Sequence, residues 1–245
     1  MNRFLFDPAA VRDGEVFLSE EESRHISKVL RMRPGTEVEL FDGTGLVYRA
    51  TILQTGQRVK AGLGQCISRE KRREVPVRVA QGMLKGKKMD MIVQKCTELG
   101  AARFTAFVSS RCQGKPDRAR NQKREERWQR LTIAACKQCM RRSPMALDET
   151  VSFSDLLALY ETDSNALRLL FWEEEKSVGL KDLPSFSGYD MICLILGPEG
   201  GLTVEEVEMA RARGWQSVTL GERILRAETA NLSAVSIVQY LAGNI

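Results

Sequence analysis

Residues 190–206 read DMICLILGPEGGLTVEE, and this stretch decides the fold class. The apolar run over residues 190–196 is typical of a strand that is buried on both faces, as in a parallel sheet. The glycines after it let the backbone approach a ligand closely, and Thr203 with Glu206 forms a capping box that predicts a helix start. Because open α/β sheets bind ligands where strands end and helices begin, the stretch predicts a ligand pocket.

A second glycine loop, residues 220–226 (LGERILR), precedes the last helical pattern. Neither loop fits a common nucleotide motif. A Walker loop needs Lys-Ser or Lys-Thr where Leu202-Thr203 stands, and the Gly-x-Gly-x-x-Gly spacing is absent. An ordinary tight turn is the alternative for each loop, since glycine marks most such turns. Two loops with Glu and Arg side chains at their tips favour a shared ligand site.

The composition is that of a globular chain of one or two domains, with 245 residues, 43% hydrophobic and 28% charged. The N-terminal residues lack the cationic and apolar regions of a signal peptide, and no run reaches the length of a membrane span. We therefore expect a cytoplasmic protein with no membrane association. Six cysteines accompany one histidine, so we expect reduced, mostly buried thiols and no metal.

Positive charge is concentrated in the middle of the chain. The formal net charge is +5, but residues 85–142 contain sixteen Lys or Arg against five Asp or Glu. A solvated helix face with local ion pairs is one explanation. An excess this large is more typical of a surface that binds a polyanion, because a polyanion offsets the self-repulsion. We therefore expect a nucleic-acid partner.

Residues 1–70 have the pattern of a small β-barrel domain, in which short strands and tight turns follow one helical patch. The segments are the helical patch at residues 21–32, strands at 37–41 and 46–53, and turns at 42–45 and 54–57. Residues 68–74 (SREKRRE) are charged and without apolar periodicity, which predicts a linker.

Residues 71–245 alternate between strand and helix patterns, which predicts an α/β domain with a parallel sheet covered by helices. The expected strands are residues 75–81, 104–108, 167–172 and 190–196, and the expected helices are residues 90–99, 124–140, 155–161 and 229–241. Gly100 is expected to end the first of these helices, and Ser154 is expected to cap the third.

Five motifs occur in order along nearly the whole chain. They are Arg24-His25 with Val29-Leu30-Arg31, KGKKMDMIVQKCTELG at residues 85–100, Arg127-Trp128 before AACKQCMRRSP at 134–144, LGPEGGLTVEE at 196–206 and LGERILRAETA at 220–230. Together they resemble the motifs of the ribosomal RNA small subunit methyltransferase E (RsmE) family, in the SPOUT class of methyltransferases. Five ordered motifs are far more specific than either glycine loop.

The resemblance implies a PUA-like β-barrel over residues 1–70 and a SPOUT trefoil-knot domain over residues 71–245. It also implies S-adenosyl-L-methionine as the cofactor, a homodimer with each active site at the dimer interface, and methylation of N3 of a uridine near the 3′ end of 16S ribosomal RNA. The partner is then that RNA or the small ribosomal subunit. Positioning does most of the catalysis in such a displacement, and the target base must be unpaired because N3 lies on the Watson–Crick edge.

Backbone and apolar groups of the two loops are expected to hold the cofactor, with an aromatic pair on a third side. The expected cofactor-binding residues are Phe171, Trp172, Leu196, Gly197, Pro198, Glu199, Gly200, Gly201, Leu220, Gly221, Ile224, Leu225, Arg226 and Ala230. Arg226 is the candidate for stabilising an anionic uracil, and Glu199 or Glu228 for accepting its proton. Ordinary core packing of the aromatic pair and a merely loop-orienting role of the glutamates are the alternatives.

RNA contacts are expected from basic residues at strand or helix ends. They are Arg24, His25, Arg31, Lys85, Lys87, Lys88, Arg111, Arg141 and Arg142. Arg24 and Arg31 are seven residues apart and are expected on one helix face. His25 could instead be a hydrogen-bonded structural residue.

Two other functions stay open from the sequence, a ribose 2′-O-methyltransferase of the same class and a non-catalytic RNA-binding ribosome assembly factor. Relatives that methylate ribose usually have a Ser-Leu-Asn-type segment where this chain has RAETA at residues 226–230. That difference favours a base methyltransferase.

Overall fold

The computed structural model describes residues 1–68, 74–112, 118–161, 165–183 and 185–245. The chain forms two compact units, the first of Met1–Arg72 with Ile133–Pro144 and the second of Arg73–Thr132 with Met145–Ile245. The segment expected as a linker, residues 68–74, lies outside the described residues except for its two ends. Nothing in the sequence indicated that residues 133–144 belong to the first unit.

The first unit is built on a five-stranded sheet with the strand order β1-β3-β4-β5-β2. Its elements are β1 (Arg3–Leu5), β2 (Glu15–Phe17), β3 (Glu37–Phe41), β4 (Val47–Gln54), β5 (Lys60–Cys66), a 3-10 turn (Pro8–Ala10), and helix α1 (Glu20–Arg24), which continues into a π-helical turn (His25–Val29). β1 pairs parallel with β3, and the other pairs are antiparallel. Side chains from every strand, including Phe4 and Val16 on the edge strands, share one core, so the sheet curls around it.

The second unit is built on a seven-stranded sheet in the order β12-β10-β11-β6-β7-β8, with β9 also paired to β7. Its strands are β6 (Val77–Gly82), β7 (Arg103–Val108), β8 (Ala146–Leu147), β9 (Val151–Ser152), β10 (Ala166–Phe171), β11 (Met191–Leu196) and β12 (Gln216–Val218). Its helices are α2 (Lys88–Glu98), α4 (Phe153–Glu161), α5 (Val204–Arg211), α6 (Ala227–Leu241) and the part of α3 (Arg118–Gln138) before Ile133, with 3-10 turns at Leu180–Asp182 and Phe186–Gly188. Every strand pair found between described residues of this sheet is parallel, which confirms the prediction.

Strand β11 lies between two apolar cores, as its continuous apolar run predicted. Ile192 and Leu194 pack into the core that α2 and α6 cover, and Cys193 and Ile195 pack into the core that α4 and α5 cover. Successive side chains of a strand point to opposite faces, so each face needs apolar residues. After the edge strand β12 the chain returns to the middle of the sheet, where α6 packs against α2, β6 and β11.

Two predicted helix ends are confirmed and one is wrong. Gly100 follows α2 with φ +85°, and Thr203 Oγ1 accepts a hydrogen bond from Glu206 N–H at 3.2 Å while the Glu206 carboxylate accepts from Thr203 N–H at 3.0 Å. Helix α4 begins at Phe153, so Ser154 already lies in its first turn. Ser152 is the capping residue instead, because its hydroxyl accepts from Asp155 N–H at 3.1 Å.

No helix in the described part of the chain has the length and apolarity that crossing a membrane requires.

Candidate functional site

A cavity of about 420 Å³ lies where β10, β11 and β12 end. Because these strands are parallel neighbours, the loops that follow them meet at one edge of the sheet. The volume is within the range of roughly 300–1,000 Å³ for ligand pockets. The lining includes these residues expected from the sequence: Phe171, Trp172, Leu196, Gly197, Pro198, Glu199, Gly201, Leu220, Gly221, Ile224, Leu225, Arg226 and Ala230.

Gly200 is the expected cofactor residue that does not line the cavity. A Cβ at Gly200 would lie 3.1 Å from Arg111 Cβ, so its α carbon packs against Arg111. Gly201 and Gly221 do line the cavity, with φ values of +71° and +111° that L residues rarely adopt. A Cβ at Gly201 would overlap the Glu173 carboxylate, whereas one at Gly221 would meet no atom within 4 Å. The glycines at 201 and 221 therefore set the backbone path of the two loops.

The cavity walls combine apolar side chains with charged groups at the rim. Leu196, Leu220, Leu225 and Ala230 supply apolar surface, and Ile224 lies at the rim with 86% of its surface exposed. Such walls suit a small ligand that has both apolar and charged parts.

Trp172 Nε1 is the polar atom of the aromatic pair. It is buried without an acceptor among the described residues. An unsatisfied N–H of this kind is rare in a folded protein and fits a site that a ligand completes.

Lys88 joins the two candidate carboxylates. Its ammonium lies 3.1 Å from Glu199 Oε1 and 3.3 Å from Glu228 Oε2. Glu199 also accepts from the backbone N–H of Lys85 at 3.2 Å. Glu199 and Arg226 line the cavity, whereas Glu228 does not. The hydrogen bond to Glu199 raises the pKa of Lys88, and the backbone N–H of Glu228 itself, followed by Lys88, lowers the pKa of Glu228.

Six cavity residues were not expected to bind the cofactor: Lys88, Glu173, Thr219, Glu222, Arg223 and Ala227. All but Lys88 are next to expected residues in the sequence, and that adjacency was the available signal. Lys88 was expected to bind RNA. Its place between the two carboxylates depends on the position of α6, which the sequence does not give.

The other expected RNA-binding residues are divided between the two units. In the second unit Lys85 and Lys87 are exposed just before α2, and Arg111 donates to the carbonyls of Gly200 at 3.2 Å and Leu202 at 3.3 Å. Arg111 thus supports the first glycine loop.

The first unit contains Arg24, His25, Arg31, Arg141 and Arg142. The His25 ring lies edge-on to Phe4 with 6.0 Å between centroids, and Arg141 Nε donates to Ser143 O at 3.2 Å. The prediction that Arg24 and Arg31 share a helix face is wrong. The helix ends in a π turn at Val29, and Arg31 has φ +51°.

Within the described ranges, no three His, Cys, Asp or Glu side chains are grouped so that they could hold a metal ion. The six cysteines are free, and burial raises the pKa of the Cys136 thiol to about 11.

Two family models match this chain. One described as an RNA methyltransferase domain matches residues 71–239, and one described as an RNA methyltransferase PUA domain matches residues 18–62. The chain is 32% identical over 235 residues to the ribosomal RNA small subunit methyltransferase E of Bacillus subtilis, which covers 91% of this chain and 89% of that relative. It is 33% identical over 248 residues to the protein of the same name in Synechocystis sp., and the match covers 98% of this chain and 77% of that relative.

Two solved structures share the fold over nearly their whole length. The ribosomal RNA small subunit methyltransferase E of Neisseria gonorrhoeae, bound to S-adenosyl methionine, has a TM-score of 0.88, 31% identity and 98% coverage of each chain. A protein of Legionella pneumophila that is described as a methyltransferase, in complex with the bound cofactor SAM, has a TM-score of 0.88 and 30% identity, covering 97% of this chain and 96% of the other.

Proposed function

The chain belongs to the ribosomal RNA small subunit methyltransferase E family, and we propose that it transfers a methyl group from S-adenosylmethionine to N3 of a uridine in 16S ribosomal RNA. The match to the RNA methyltransferase domain supports assigning the second unit to the SPOUT trefoil-knot domain that the resemblance implies, and the match to the PUA domain supports assigning the first unit to the PUA-like domain. The observation that supports the proposal most is the cavity between the two glycine loops, in a chain that is similar to two solved structures with this cofactor bound.

The residues around the cavity fit the cofactor. Leu196, Leu220, Leu225 and Ala230 would pack against the adenine, and the loop backbone would hold the polar parts. When bound, S-adenosylmethionine would supply an electrophilic methyl carbon on its sulfonium sulfur, and the neutral thioether would be the leaving group when the uracil nitrogen takes that carbon. The protein then needs to orient the uracil and to accept the proton of its N3.

Glu199 is the better placed of the two carboxylates to accept that proton. It lines the cavity, whereas Glu228 does not. Lys88 bridges both carboxylates and keeps the Glu199 side chain at the cavity wall. As the N3–methyl bond forms, the N3 proton passes to a Glu199 oxygen. Arg226, on the same wall, would stabilise the negative charge that develops on the uracil oxygens.

Lys85 and Lys87 are exposed, three residues and one residue before the cavity residue Lys88, and would contact RNA phosphates. The target uridine must be unpaired to present N3, so these contacts would hold single-stranded or splayed RNA.

We also propose a homodimer, the state that the family resemblance implies, located in the cytoplasm with its ribosomal substrate. Helix α6 exposes Ile237, Tyr240 and Leu241, and Tyr240 has 70% of its surface exposed. Exposed apolar groups of this kind are typical of protein interfaces. Sedimentation equilibrium would give the dimer mass, and a monomer at micromolar concentration would contradict this part of the proposal.

The function is tested by incubating the protein with methyl-labelled S-adenosylmethionine and small subunits that lack the modification. The RNA is then digested to nucleosides, and we expect label in N3-methyluridine. Label in a 2′-O-methyl nucleoside would instead support the ribose methyltransferase. No label, together with no cofactor binding by calorimetry, would support the assembly factor.

A further inference from the structure

Three buried polar side chains connect the first glycine loop to helices α2 and α6. Gln81 lies near the end of β6, Asn231 on α6 and Cys96 on α2, and each is 0% exposed. None of the three lines the cavity. They lie within or beside the apolar core of the second unit, where a polar side chain costs free energy unless it is hydrogen-bonded.

The hydrogen bonds among them run in one direction. The Cys96 thiol donates to Asn231 Oδ1 at 3.2 Å, and Asn231 Nδ2 donates to Gln81 Oε1 at 2.9 Å. Gln81 Nε2 donates to the carbonyls of Gly197 at 2.8 Å, Gly82 at 3.1 Å and Leu196 at 3.4 Å.

The loop carbonyls fix the donor and acceptor roles along the network. Backbone carbonyls only accept, so Gln81 must turn its amide nitrogen toward the loop and its oxygen toward Asn231. Asn231 must then donate to Gln81, which leaves its own oxygen for the Cys96 thiol. The orientation of both amides therefore follows from the loop carbonyls, and each member of the network is satisfied.

The network lies where the backbone pairing between β6 and β11 ends. The pairing of β6 with β11 ends at Gln81 with Leu196, and Gly197 lies beyond this last pair. At that point the Gln81 side chain replaces the backbone ladder as the donor to the departing strand. Apolar residues at Gln81 and Asn231 would fill the core, but they would leave the loop carbonyls without this donor.

We propose that Gln81 and Asn231 are positioning residues for the cofactor, because they hold the carbonyls that begin the first glycine loop and thereby shape the cavity wall. This inference rests on the proposed occupant of the cavity. Neither side chain touches that occupant, so both act through Gly197 and Pro198.

The test compares Gln81→Met and Asn231→Leu with Gln239→Met. Gln239 is a matched control, since it is a buried amide on α6 that donates to the Leu99 carbonyl at 2.7 Å and does not line the cavity. S-adenosylmethionine affinity is measured by calorimetry below the unfolding temperature of every variant, and stability by thermal unfolding without cofactor. We expect the two network variants to bind about tenfold more weakly, the effect of one lost hydrogen bond, and the control to bind within about twofold of wild type at a similar loss of stability.

Steady-state kinetics gives a second readout. The KM for S-adenosylmethionine should rise with the dissociation constant while kcat changes by less than about threefold, because the loss concerns cofactor binding. Equal affinities of the network variants and the control would overturn the proposal.

Two Cys96 variants keep the test valid if Gln81→Met or Asn231→Leu does not fold. Cys96→Ala removes the donor to Asn231 and should weaken cofactor binding about threefold, whereas Cys96→Ser retains a donor and should restore it. Wild-type affinity in both would also overturn the proposal. Calorimetry measures only the binding of the cofactor. A wild-type protein that binds the cofactor but methylates no RNA would therefore contradict the proposed reaction and leave this inference intact.

Discussion

Replacing Gly82 with alanine tests whether the first glycine loop needs its observed distance from the sheet. Gly82 ends β6, and a Cβ there would lie 2.6 Å from Pro198 N, 2.7 Å from Pro198 Cδ and 3.0 Å from Gly197 C. Ordinary contacts between such atoms are roughly 3.5–4.0 Å. The loop would have to recede by about 1 Å, since these are mostly backbone atoms and not the end of a flexible side chain.

The expected cost is moderate for stability and larger for binding. Overpacking of this kind costs roughly 1–3 kcal/mol, and the backbone preference of alanine over glycine in a strand offsets about 0.5–1 kcal/mol. We therefore expect the free energy of unfolding to fall by about 1–2 kcal/mol. Gly197 and Pro198 line the cavity, so a displacement of about 1 Å should weaken S-adenosylmethionine binding by 10- to 100-fold, the order of effect that such a shift has in an active site.

Gly188→Ala is the matched control, because a Cβ there would meet no atom within 4 Å. Denaturant unfolding gives the stability of both variants, and calorimetry at one temperature gives their cofactor affinity. If Gly82→Ala binds the cofactor as tightly as Gly188→Ala, the distance between β6 and the loop does not determine affinity, and the reasoning fails.

Three further predictions concern catalysis, acid stability and RNA binding. Glu199→Gln should lower kcat by about 10²-fold and Glu228→Gln by less than tenfold, because only Glu199 lines the cavity; equal losses in a methylation assay would contradict the assignment. Hydrogen bonds from Ser177 and then Ser217 lower the pKa of Glu175 to about 2, so its contribution to stability is present above about pH 4.5 and is lost as the pH falls towards 2. Glu175→Gln should therefore cost about 2–3 kcal/mol in denaturant unfolding at pH 7, and a difference from wild type that persists undiminished at pH 2 would argue against this cause. Arg141→Ala with Arg142→Ala should weaken RNA binding and reduce the slope of log K against log salt by up to about 2, with cofactor affinity unchanged; an unaltered slope would show that neither residue contacts phosphate.

Local patterns predicted most of the elements because the physical causes are local. The run of β11 and the capping box of α5 each lie within a few residues and are confirmed. The predictions for the cap of α4 and the position of Arg31 were wrong because helix ends depend on backbone geometry, a start two residues earlier in one case and a π turn in the other. Neither feature has a distinct sequence signal.

The candidate site was predictable to the extent that it consists of loops. Residues of the two glycine loops line one cavity because parallel neighbouring strands end at the same edge. Lys88 was indistinguishable from Lys85 and Lys87 in the sequence, since all three are basic residues before one helix. Only Lys88 bridges Glu199 and Glu228 among these three.

The sequence by itself determined the alternation of strands and helices, the two glycine loops and the family motifs, all of which are patterns over short stretches. The tertiary structure alone decided which distant side chains meet. Gln81 contacts Asn231 and Lys88 contacts Glu228 because α6 returns from the edge of the sheet to its centre. Contacts between residues more than a hundred positions apart depend on strand order and chain path, and a local pattern does not contain that information.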